Sequence, residues 1–218
     1  MEKQMVTLDE LEQLPEKVLI DVRTPSEYQK ATIPGAISIP LFDDDERSQV
    51  GIVYKQICKK KARDLGYQLV LPKLPGILQS IREVSTGHSH IILFCWRGGL
   101  RSKTLTKYCN QQGVRVSYLV GGYKAFRKKV YLFFEEISNI PKAIVLVGLT
   151  GVGKTRLFDY LAPYGLSAID LEQLANNRGS VFGKVHGGEQ PSQQAFEAAL
   201  YTKIREIYSS HLIVECES

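Results

Sequence analysis

The sequence predicts an α/β protein with mostly parallel strands, arranged in two units. Short apolar segments typical of buried strands alternate along the chain with segments that have the charge pattern and apolar spacing of helices. The chain has 218 residues, about one and a half times the ~150 expected of one domain. Since 44% of the residues are hydrophobic and 23% are charged, the composition favours packed cores and excludes a largely disordered chain.

The first unit is predicted to alternate strands with helices. The strands are the apolar segments at 18–21, 36–39 and 90–94, followed by RVSYLVGG at 115–122. The helices begin near Ser26 and cover 43–66, 73–85, 102–113 and 122–136. The segment 73–85 has the apolar spacing of an amphipathic helix, and Gly113 is typical of a helix C-terminus.

A joint between the two units is predicted at 138–142, where Pro141 interrupts the preceding helix. The apolar strand AIVLV at 143–147 follows directly, then a glycine-rich segment, a helical stretch at 156–165 and a last strand at 211–218. We therefore assign residues 1–137 to the first domain and residues 138–218 to the second.

The sequence indicates a cytoplasmic protein without a membrane segment. No apolar run approaches the ~20 residues of a membrane helix, and the charged start of the chain is unlike a signal peptide. The four cysteines contain no C-x-x-C pair, which disfavours a zinc knuckle and a disulfide framework. Cys58, Cys109 and Cys216 are interpreted as core or incidental thiols.

The basic residues are concentrated in the middle of the chain. Residues 84–134 carry nine basic and no acidic residues, whereas the whole chain has 28 basic and 23 acidic residues. Such a segment can hold a polyanion or a small oxyanion by salt-sensitive attraction. A solvated helix face explains the same charges equally well.

The segment CWRGGLRS at 95–102 predicts a reactive thiol. Cys95 stands where a buried strand gives way to a loop and a helix, and Gly98 and Gly99 allow the loop amides to turn inward as an anion nest. Arg97 and Arg101 flank the loop, where they would lower the thiol pKa and hold the oxygens of a thiosulfate, phosphate or selenophosphate. The alternative is a buried structural cysteine.

The segment GLTGVGKT at 148–155 matches the phosphate-binding pattern G-x-x-x-x-G-K-[ST], between a strand and a helix as that pattern requires. Gly148, Gly151 and Gly153 let the backbone approach a phosphate chain. Lys154 supplies a charge to the phosphates, and Thr155 can bind Mg²⁺. No other metal and no cofactor is assigned. The carboxylates that would orient the metal are Glu215, Glu217 or Asp170.

The second domain is expected to be an incomplete P-loop α/β domain. The residues after the joint supply about three strands, fewer than a P-loop domain needs to close its sheet. We therefore expect the chain to be a truncated or split form of a longer protein.

The first domain resembles the rhodanese family, from Val6 to Lys129. The resemblance is carried by DVRTPSEY at 21–28, IPGAISIP at 33–40 and the Cys95 loop. It implies a rhodanese-like parallel-sheet domain in which Cys95 holds sulfur or selenium as a persulfide or perselenide. It also implies that Asp21 and Arg23 mainly organise structure around the site.

A rhodanese domain joined to a P-loop domain resembles the tRNA 2-selenouridine synthase family. Three further segments fit it, ERSQVGIVYKQ at 46–56, DLEQLANNRGSVFG at 170–183 and QPSQQAFE at 190–197. The resemblance implies a transferase that replaces sulfur by selenium in the wobble 2-thiouridine of tRNA. Selenophosphate would be the selenium donor, supplied by a separate enzyme, and geranyl diphosphate would first alkylate the sulfur and occupy the phosphate loop.

The residues expected to contact a phosphate or the tRNA are Arg178, Lys124, Arg127 and Lys128. A surface salt bridge is the alternative for Arg178. The chain departs from the family pattern at Asn177 and Cys216, so proton-transfer or metal-orienting roles there are not assigned. Two other functions stay open, a small-molecule sulfurtransferase with a phosphate-binding appendage and an inactive truncated protein.

Overall fold

The computed structural model of the chain describes residues 4–136, 142–147, 157, 160–161, 168–176, 190–207 and 211–216. The chain forms two compact units, Met1–Lys128 and Lys129–Ser218. All paired strands in both units run parallel. The predicted α/β class with parallel sheets is therefore confirmed.

The first unit is built on a five-stranded parallel sheet. Its strands are β1 (Met5–Val6), β2 (Lys17–Asp21), β3 (Ile37–Ser38), β4 (His90–Phe94) and β5 (Ser117–Leu119). They lie in the order β1–β5–β4–β2–β3, which places β4 at the centre, paired with β2 and β5. Its central position explains why β4 consists almost entirely of apolar residues.

Helices and loops connect these strands. The helices are α1 (Leu8–Gln13), α2 (Pro25–Lys30), α3 (Asp44–Gln56), α4 (Lys59–Val70), α5 (Leu74–Ser85), α6 (Leu100–Gln111) and α7 (Gly122–Glu135). A single 3₁₀ turn, Leu71–Lys73, joins α4 to α5. Three helices begin with a reciprocal capping box, in which the cap residue and the third helical residue bond each other's amides; the pairs are Thr7 and Glu10, Thr24 and Glu27, and Asp43 and Glu46.

The structure differs from the predicted elements in the segment 43–66 and in several elements that were not predicted, among them α1 and β1. The helical segment predicted at 43–66 is two helices, because the backbone leaves the helical conformation at Ile57 and Cys58 caps α4 by accepting a hydrogen bond from the Lys61 amide at 3.4 Å. Strand β1 was not predicted, because two residues are too few to show an alternation of apolar and polar side chains. Its pairing partner, β5, is more than 100 residues away in the chain.

The core of the first unit explains the burial of Cys95. Ile91, Leu93 and Cys95 alternate along β4 and its end, so their side chains point to the same face of the sheet. There they join a buried apolar cluster that includes Leu105 and Cys109 of α6. The face that buries the thiol is therefore set by the strand period.

The second unit has a three-stranded parallel sheet. Its strands are β6 (Lys142–Val147), β7 (Ala168–Ile169) and β8 (His211–Cys216), in the order β6–β8–β7. The helices described there are α8 (Leu171–Leu174) and α9 (Gln193–Arg205). The strands predicted at 143–147 and 211–218 correspond to β6 and β8.

The division between the units falls inside α7 rather than at the predicted joint after residue 137. Phe133 and Phe134, near the end of α7, pack on the apolar cluster of Ile169, Ile204 and Leu212 in the second unit. The sequence predicts one continuous helix at 122–136. Its periodicity does not show that Phe133 and Phe134 belong to the core of the second unit.

Candidate active site at Cys95

Cys95 lies directly after the central strand β4, at the carboxyl end of the sheet. Ligands of open parallel sheets bind at this end of the strands. Residues 96–99 form the loop, and α6 begins at Leu100, so the thiol faces the N-terminus of a helix. The predicted placement of Cys95 between a buried strand, a loop and a helix is confirmed by the structure.

Two hydrogen-bond donors surround the Cys95 sulfur. The Gly99 amide donates to Sγ at an N···S distance of 3.3 Å, and the Ser102 Oγ lies 3.3 Å from the same sulfur. The Ser102 hydroxyl has one proton, which it can direct either to a thiolate or to the Gly99 carbonyl oxygen at 3.4 Å. The side chain of Cys95 is 3% exposed, so these donors act where water is largely excluded. The arrangement stabilises a negative sulfur.

The pKa of the Cys95 thiol lies below its ordinary value. Burial acts to raise it, because a thiolate loses hydration. The hydroxyl and amide of Ser102, the charge of Arg101 and the Gly99 amide outweigh that effect. By contrast, burial raises the pKa of Cys109 to about 11, with only a partial opposing effect of Arg82. Cys95 is therefore the better nucleophile of the two buried thiols.

The Cys95 loop is packed tightly on the turn between β5 and α7. The Tyr123 amide donates to the Cys95 carbonyl at 2.9 Å, and the Lys124 amide donates to the Trp96 carbonyl at 2.8 Å. Gly98 has a φ of +61°, and a Cβ there would lie 2.4 Å from the Leu119 carbonyl oxygen. A side chain at Gly98 is therefore excluded by both backbone conformation and space.

Arg101 has an internal ion-pair partner that the sequence analysis did not predict. Its Nη1 is 2.8 Å from the Glu27 carboxylate in α2, and both side chains are partly buried. The guanidinium is thus held by an internal partner, although its charge still lowers the pKa of Cys95. Arg97 is exposed on the loop, where it can meet an anion from solvent.

Asp21 and Arg23 form a buried ion pair beside the site. The Arg23 Nη2 lies 2.6 Å from the Asp21 carboxylate and 2.6 Å from the Ala31 carbonyl oxygen, to which it donates. The Arg23 Cζ lies 4.1 Å from the centroid of the Tyr123 ring. The pair connects the end of β2 to α7, the helix whose Tyr123 amide bonds Cys95. This is the organising role that the rhodanese resemblance implied.

Exposed basic and aromatic groups surround the same loop. Lys124 and Lys128 of α7 are exposed, and Arg127 between them is half-buried. Trp96 is 36% exposed and contacts Tyr123, with ring centroids 5.7 Å apart and the ring planes tilted by 45°. An exposed indole beside cations suits a nucleobase and its phosphates.

Sequence reasoning missed Ser102, Glu27 and Trp96. Ser102 is the third residue of α6. A polar side chain in the first turn of the helix that follows the Cys95 loop was the signal that could have predicted its contact with the sulfur. Glu27 is 74 residues from Arg101 in the chain and could not be linked to it by spacing. Trp96 adjoins the cysteine, and only its measured exposure distinguishes it from a core residue.

The predicted phosphate loop lies outside the described residues. This holds for Gly148, Gly151, Gly153, Lys154 and Thr155, and also for Arg178, Asn177 and Glu217. Of its surroundings, β6 ends at Val147, directly before the loop. Asp170 caps α8, accepting a hydrogen bond from the Gln173 amide at 2.7 Å. Only the backbone of Glu215 and Cys216 is described, as part of β8.

The described part of the chain shows neither a cluster of metal ligands nor a membrane-spanning helix. Within it, His, Cys, Asp and Glu side chains form no group of three or more that could hold a metal ion. Among the helices of those same residues, none has the length and apolar character needed to cross a membrane.

Comparison with known proteins agrees with this geometry. Residues 7–129 match the rhodanese-like domain family, and residues 141–218 match the tRNA 2-selenouridine synthase AAA domain family. A crystallised N-terminal domain from Clostridium difficile 630 is 35% identical, with a TM-score of 0.56, over 58% of this chain and 98% of that domain.

Curated relatives extend the match to both units. The tRNA 2-selenouridine synthase of Hahella chejuensis is 40% identical over 84% of this chain and 47% of its own length. That of Pseudomonas syringae is 39% identical over 92% of this chain and 54% of its own length. The chain spans about half the length of the curated relatives it matches. The resemblance found in the sequence is thus confirmed, and the chain belongs to the rhodanese-like family, with a second segment of the tRNA 2-selenouridine synthase AAA type.

Proposed function

We propose that this chain acts in the replacement of sulfur by selenium at carbon 2 of the wobble 2-thiouridine of tRNA, with Cys95 as the chalcogen carrier. The observation that carries the proposal is the Cys95 sulfur, held by the Gly99 amide and the Ser102 hydroxyl with a lowered pKa. The relatives named tRNA 2-selenouridine synthase support the choice of substrate.

Cys95 is the nucleophile of the proposed transfer. With thiosulfate, the thiolate attacks the outer sulfur, the sulfur–sulfur bond breaks and sulfite leaves with the electron pair. The enzyme then holds a persulfide whose terminal sulfur is negative, a product that an anion nest stabilises. Selenophosphate, supplied by a separate enzyme, is the selenium donor in this proposal: the thiolate attacks its selenium, the phosphorus–selenium bond breaks, and phosphite leaves with the electron pair.

A prenyl group makes the thiouridine sulfur a better leaving group in the proposed reaction. The sulfur attacks the first carbon of geranyl diphosphate, the carbon–oxygen bond breaks and diphosphate leaves. The terminal selenium of the Cys95 perselenide then adds at carbon 2, and geranyl thiolate departs with the electron pair. A thiol reductant attacks the Cys95 sulfur, the sulfur–selenium bond breaks, and the selenated uridine leaves with that electron pair. Lys154 and the backbone at Gly151 and Gly153 would bind a di- or triphosphate, and Thr155 would bind Mg²⁺, which stabilises phosphate charge.

The tRNA contact is proposed for the exposed groups around the Cys95 loop. Lys124 and Lys128 would contact phosphates, and Trp96 would stack on a base. Since the proposed substrate is tRNA, we also propose that the protein acts in the cytoplasm. Reversing the charge of Lys124 and Lys128 together is expected to weaken tRNA binding and to reduce its dependence on salt.

The decisive experiment is mass spectrometry of Cys95 after exposure to selenophosphate and, separately, to thiosulfate. We expect a selenium or sulfur adduct on the wild-type chain and on Cys58→Ser, a matched control because serine is also a good helix cap. Cys95→Ser should carry none. An adduct that persists in Cys95→Ser, or its absence from the wild type, contradicts the proposal.

A second measurement tests the nucleic-acid substrate. Thiolated tRNA is incubated with the chain, selenophosphate and geranyl diphosphate, and the nucleosides are then analysed. Geranylated or selenated uridine supports the proposal. If a protein of full family length makes neither product, the proposal is wrong.

A small-molecule sulfurtransferase is the second candidate. All the groups described around Cys95 belong to the first unit, so sulfur loading needs nothing from the phosphate loop. Persulfide formation on Cys95 without salt-sensitive tRNA binding would favour this candidate.

A further inference from the structure

The first unit contains a large cleft that the chemistry at Cys95 does not use. Its volume is about 830 Å³, within the range of about 300–1,000 Å³ typical of small-molecule sites. The cleft lies among α3, α4, α5 and α6. Its apolar lining includes Leu41, Phe42, Val50, Val70, Leu74 and Leu105.

The polar lining of the cleft is cationic. Lys59, Lys60 and Arg63 come from the first turns of α4, and Lys107 comes from α6. All four side chains are exposed, and among the described residues that line the cleft there is no acidic one. The cleft therefore offers apolar surface beside a positive rim, which suits a ligand with an apolar body and an anionic head.

The helices around the cleft present unusually exposed apolar side chains. In α3 no side chain is buried, and Tyr54 is 54% exposed. Tyr67 and Leu71 are 43% and 59% exposed on the other side of the cleft. A group of exposed aromatic and leucine side chains of this kind is typical of a surface that a ligand covers.

One end of the cleft meets the Cys95 site. Leu100 and Arg101 line the cleft and are also the first two residues of α6, directly after the Cys95 loop. Arg101 is paired with Glu27, so the three cations of α4 and Lys107 are the groups left to receive an anion. A ligand in the cleft would thus lie next to the chalcogen carrier.

We propose that this cleft binds the apolar chain of a prenyl diphosphate, with the diphosphate at the cationic rim. The inference rests on the proposed function, because that reaction passes a prenyl group through the protein. Two sources share this chemistry, the free diphosphate and a prenyl group already attached to thiouridine beside RNA phosphates. A bare nucleic-acid backbone fits less well, since it has no apolar part to cover the floor.

The first test maps the site with a geranyl diphosphate analogue that carries a diazirine at the end of its chain. The full chain is irradiated with the probe, and the labelled peptides are identified by mass spectrometry. We expect labels within 41–74 and 100–111, and competition by geranyl diphosphate but not by diphosphate alone. Labels confined to 148–155 would overturn the inference and leave the proposed function intact.

The second test fills the cleft. Gly66 lines it from α4, and a Cβ there would make only an ordinary 3.5 Å contact with the Phe42 ring. Gly66→Leu should therefore fold and weaken geranyl diphosphate binding by about tenfold or more. Gly76→Leu is the matched control, since Gly76 is helical, exposed and meets nothing within 4 Å.

Charge reversal tests the rim. Lys60→Glu with Arg63→Glu should weaken binding of the diphosphate, whereas Lys55→Glu with Lys61→Glu, outside the lining, should not. The same four variants are measured with RNA that carries a geranylated thiouridine, which tells whether the free or the attached prenyl group is bound. Equal binding by all variants to both ligands contradicts the inference.

Two readouts separate this inference from the proposed function. Chalcogen loading of Cys95 in Gly66→Leu should equal that of the wild type, because Gly66 makes neither of the hydrogen bonds to the Cys95 sulfur. Sedimentation of the wild type, with and without the diphosphate, reports self-association. A dimer that Gly66→Leu dissociates would mean that a second copy covers the cleft, and the inference would fail.

Discussion

A thiol in an apolar core ordinarily keeps its proton near neutral pH, and Cys109 is such a case. Cys95 belongs to the same apolar cluster, yet its pKa is lowered rather than raised. The difference comes from three residues of the following loop and helix, Gly99, Arg101 and Ser102. At the residue scale, therefore, local hydrogen bonds and one charge decide whether a buried sulfur can react.

Ser102→Ala should raise the pKa of Cys95. The variant removes a hydrogen bond to a charged group, worth about 1.5–3 kcal/mol, and so lowers the thiolate fraction roughly tenfold or more at pH values below the midpoint. The midpoint is measured from thiolate absorbance during a pH titration. Ser80→Ala is the control, because the Ser80 hydroxyl donates to the Gly76 carbonyl oxygen within α5. An unchanged midpoint in Ser102→Ala would show that the hydroxyl does not act on the sulfur.

Glu27→Gln should remove a pH-dependent part of the stability. Burial acts to raise the pKa of Glu27, but Arg101, the Thr24 amide and Arg23 outweigh it and lower the pKa from 4.5. A lowered pKa stabilises the fold above the unfolded value, and this stability is lost as the pH falls through the folded value.

Urea unfolding at several pH values checks this prediction. At pH 7 Glu27→Gln should be less stable than the wild type by about 1 kcal/mol or less, since the carboxylate is partly exposed. The difference should shrink as the pH falls below 4.5. Exposed Glu83→Gln is the control, and a difference that is constant with pH would contradict the assignment.

At the element scale, the loop after β4 is shaped by the turn between β5 and α7. Gly122 has a φ of +55°, and a Cβ there would lie 2.1 Å from the Cys95 carbonyl oxygen and 2.6 Å from the Gly98 nitrogen. The loop that carries the thiol and the start of α7 thus approach each other backbone to backbone. This contact positions Cys95 without touching its sulfur.

Gly122→Ala should therefore disturb the site more than backbone strain alone explains. Gly113 also has a positive φ, +78°, but a Cβ there meets nothing within 4 Å. We expect Gly113→Ala to cost about 1–2 kcal/mol of stability with normal chalcogen loading. Gly122→Ala should cost more and reduce loading, as measured by urea unfolding and mass spectrometry. Equal effects of the two substitutions would contradict the proposed positioning.

At the scale of the whole molecule, the reactive thiol and the predicted phosphate loop belong to different units. The first unit has its own five-stranded sheet and its own core around Cys95. Its hydrogen bonds to the thiol come from within that unit. We therefore predict that the proposed chalcogen loading needs only the first unit.

A fragment that ends after Glu136 should fold and load sulfur or selenium on Cys95 as fast as the whole chain. Its circular dichroism, its unfolding transition and the mass of the loaded thiol are the measurements. The fragment exposes Phe133 and Phe134, so Phe133→Ser with Phe134→Ser in the fragment serves as a solubility control. A folded fragment that does not load would show that the second unit contributes to the thiol's reactivity.

Much of the site could be predicted because its signals are local. The apolar run at 90–94, the cysteine after it and the glycines of the loop are contiguous, and a parallel strand followed by a helix places them at the carboxyl end of a sheet. The phosphate-loop pattern is equally local. Apolar spacing also predicted α5, which buries Ile77, Leu78 and Ile81, and Gly113 indicated the end of α6.

The sequence by itself determined the parallel α/β class, the thiol at the end of β4 and the resemblance to rhodanese and tRNA 2-selenouridine synthase families. Only the tertiary structure decided that Glu27 holds Arg101, that Gly122 contacts the Cys95 backbone, and that a cationic cleft opens beside α6. The physical reason is distance along the chain: strand and helix periods record which residues face a core, whereas pairs far apart in sequence meet only through the order of strands in the sheet.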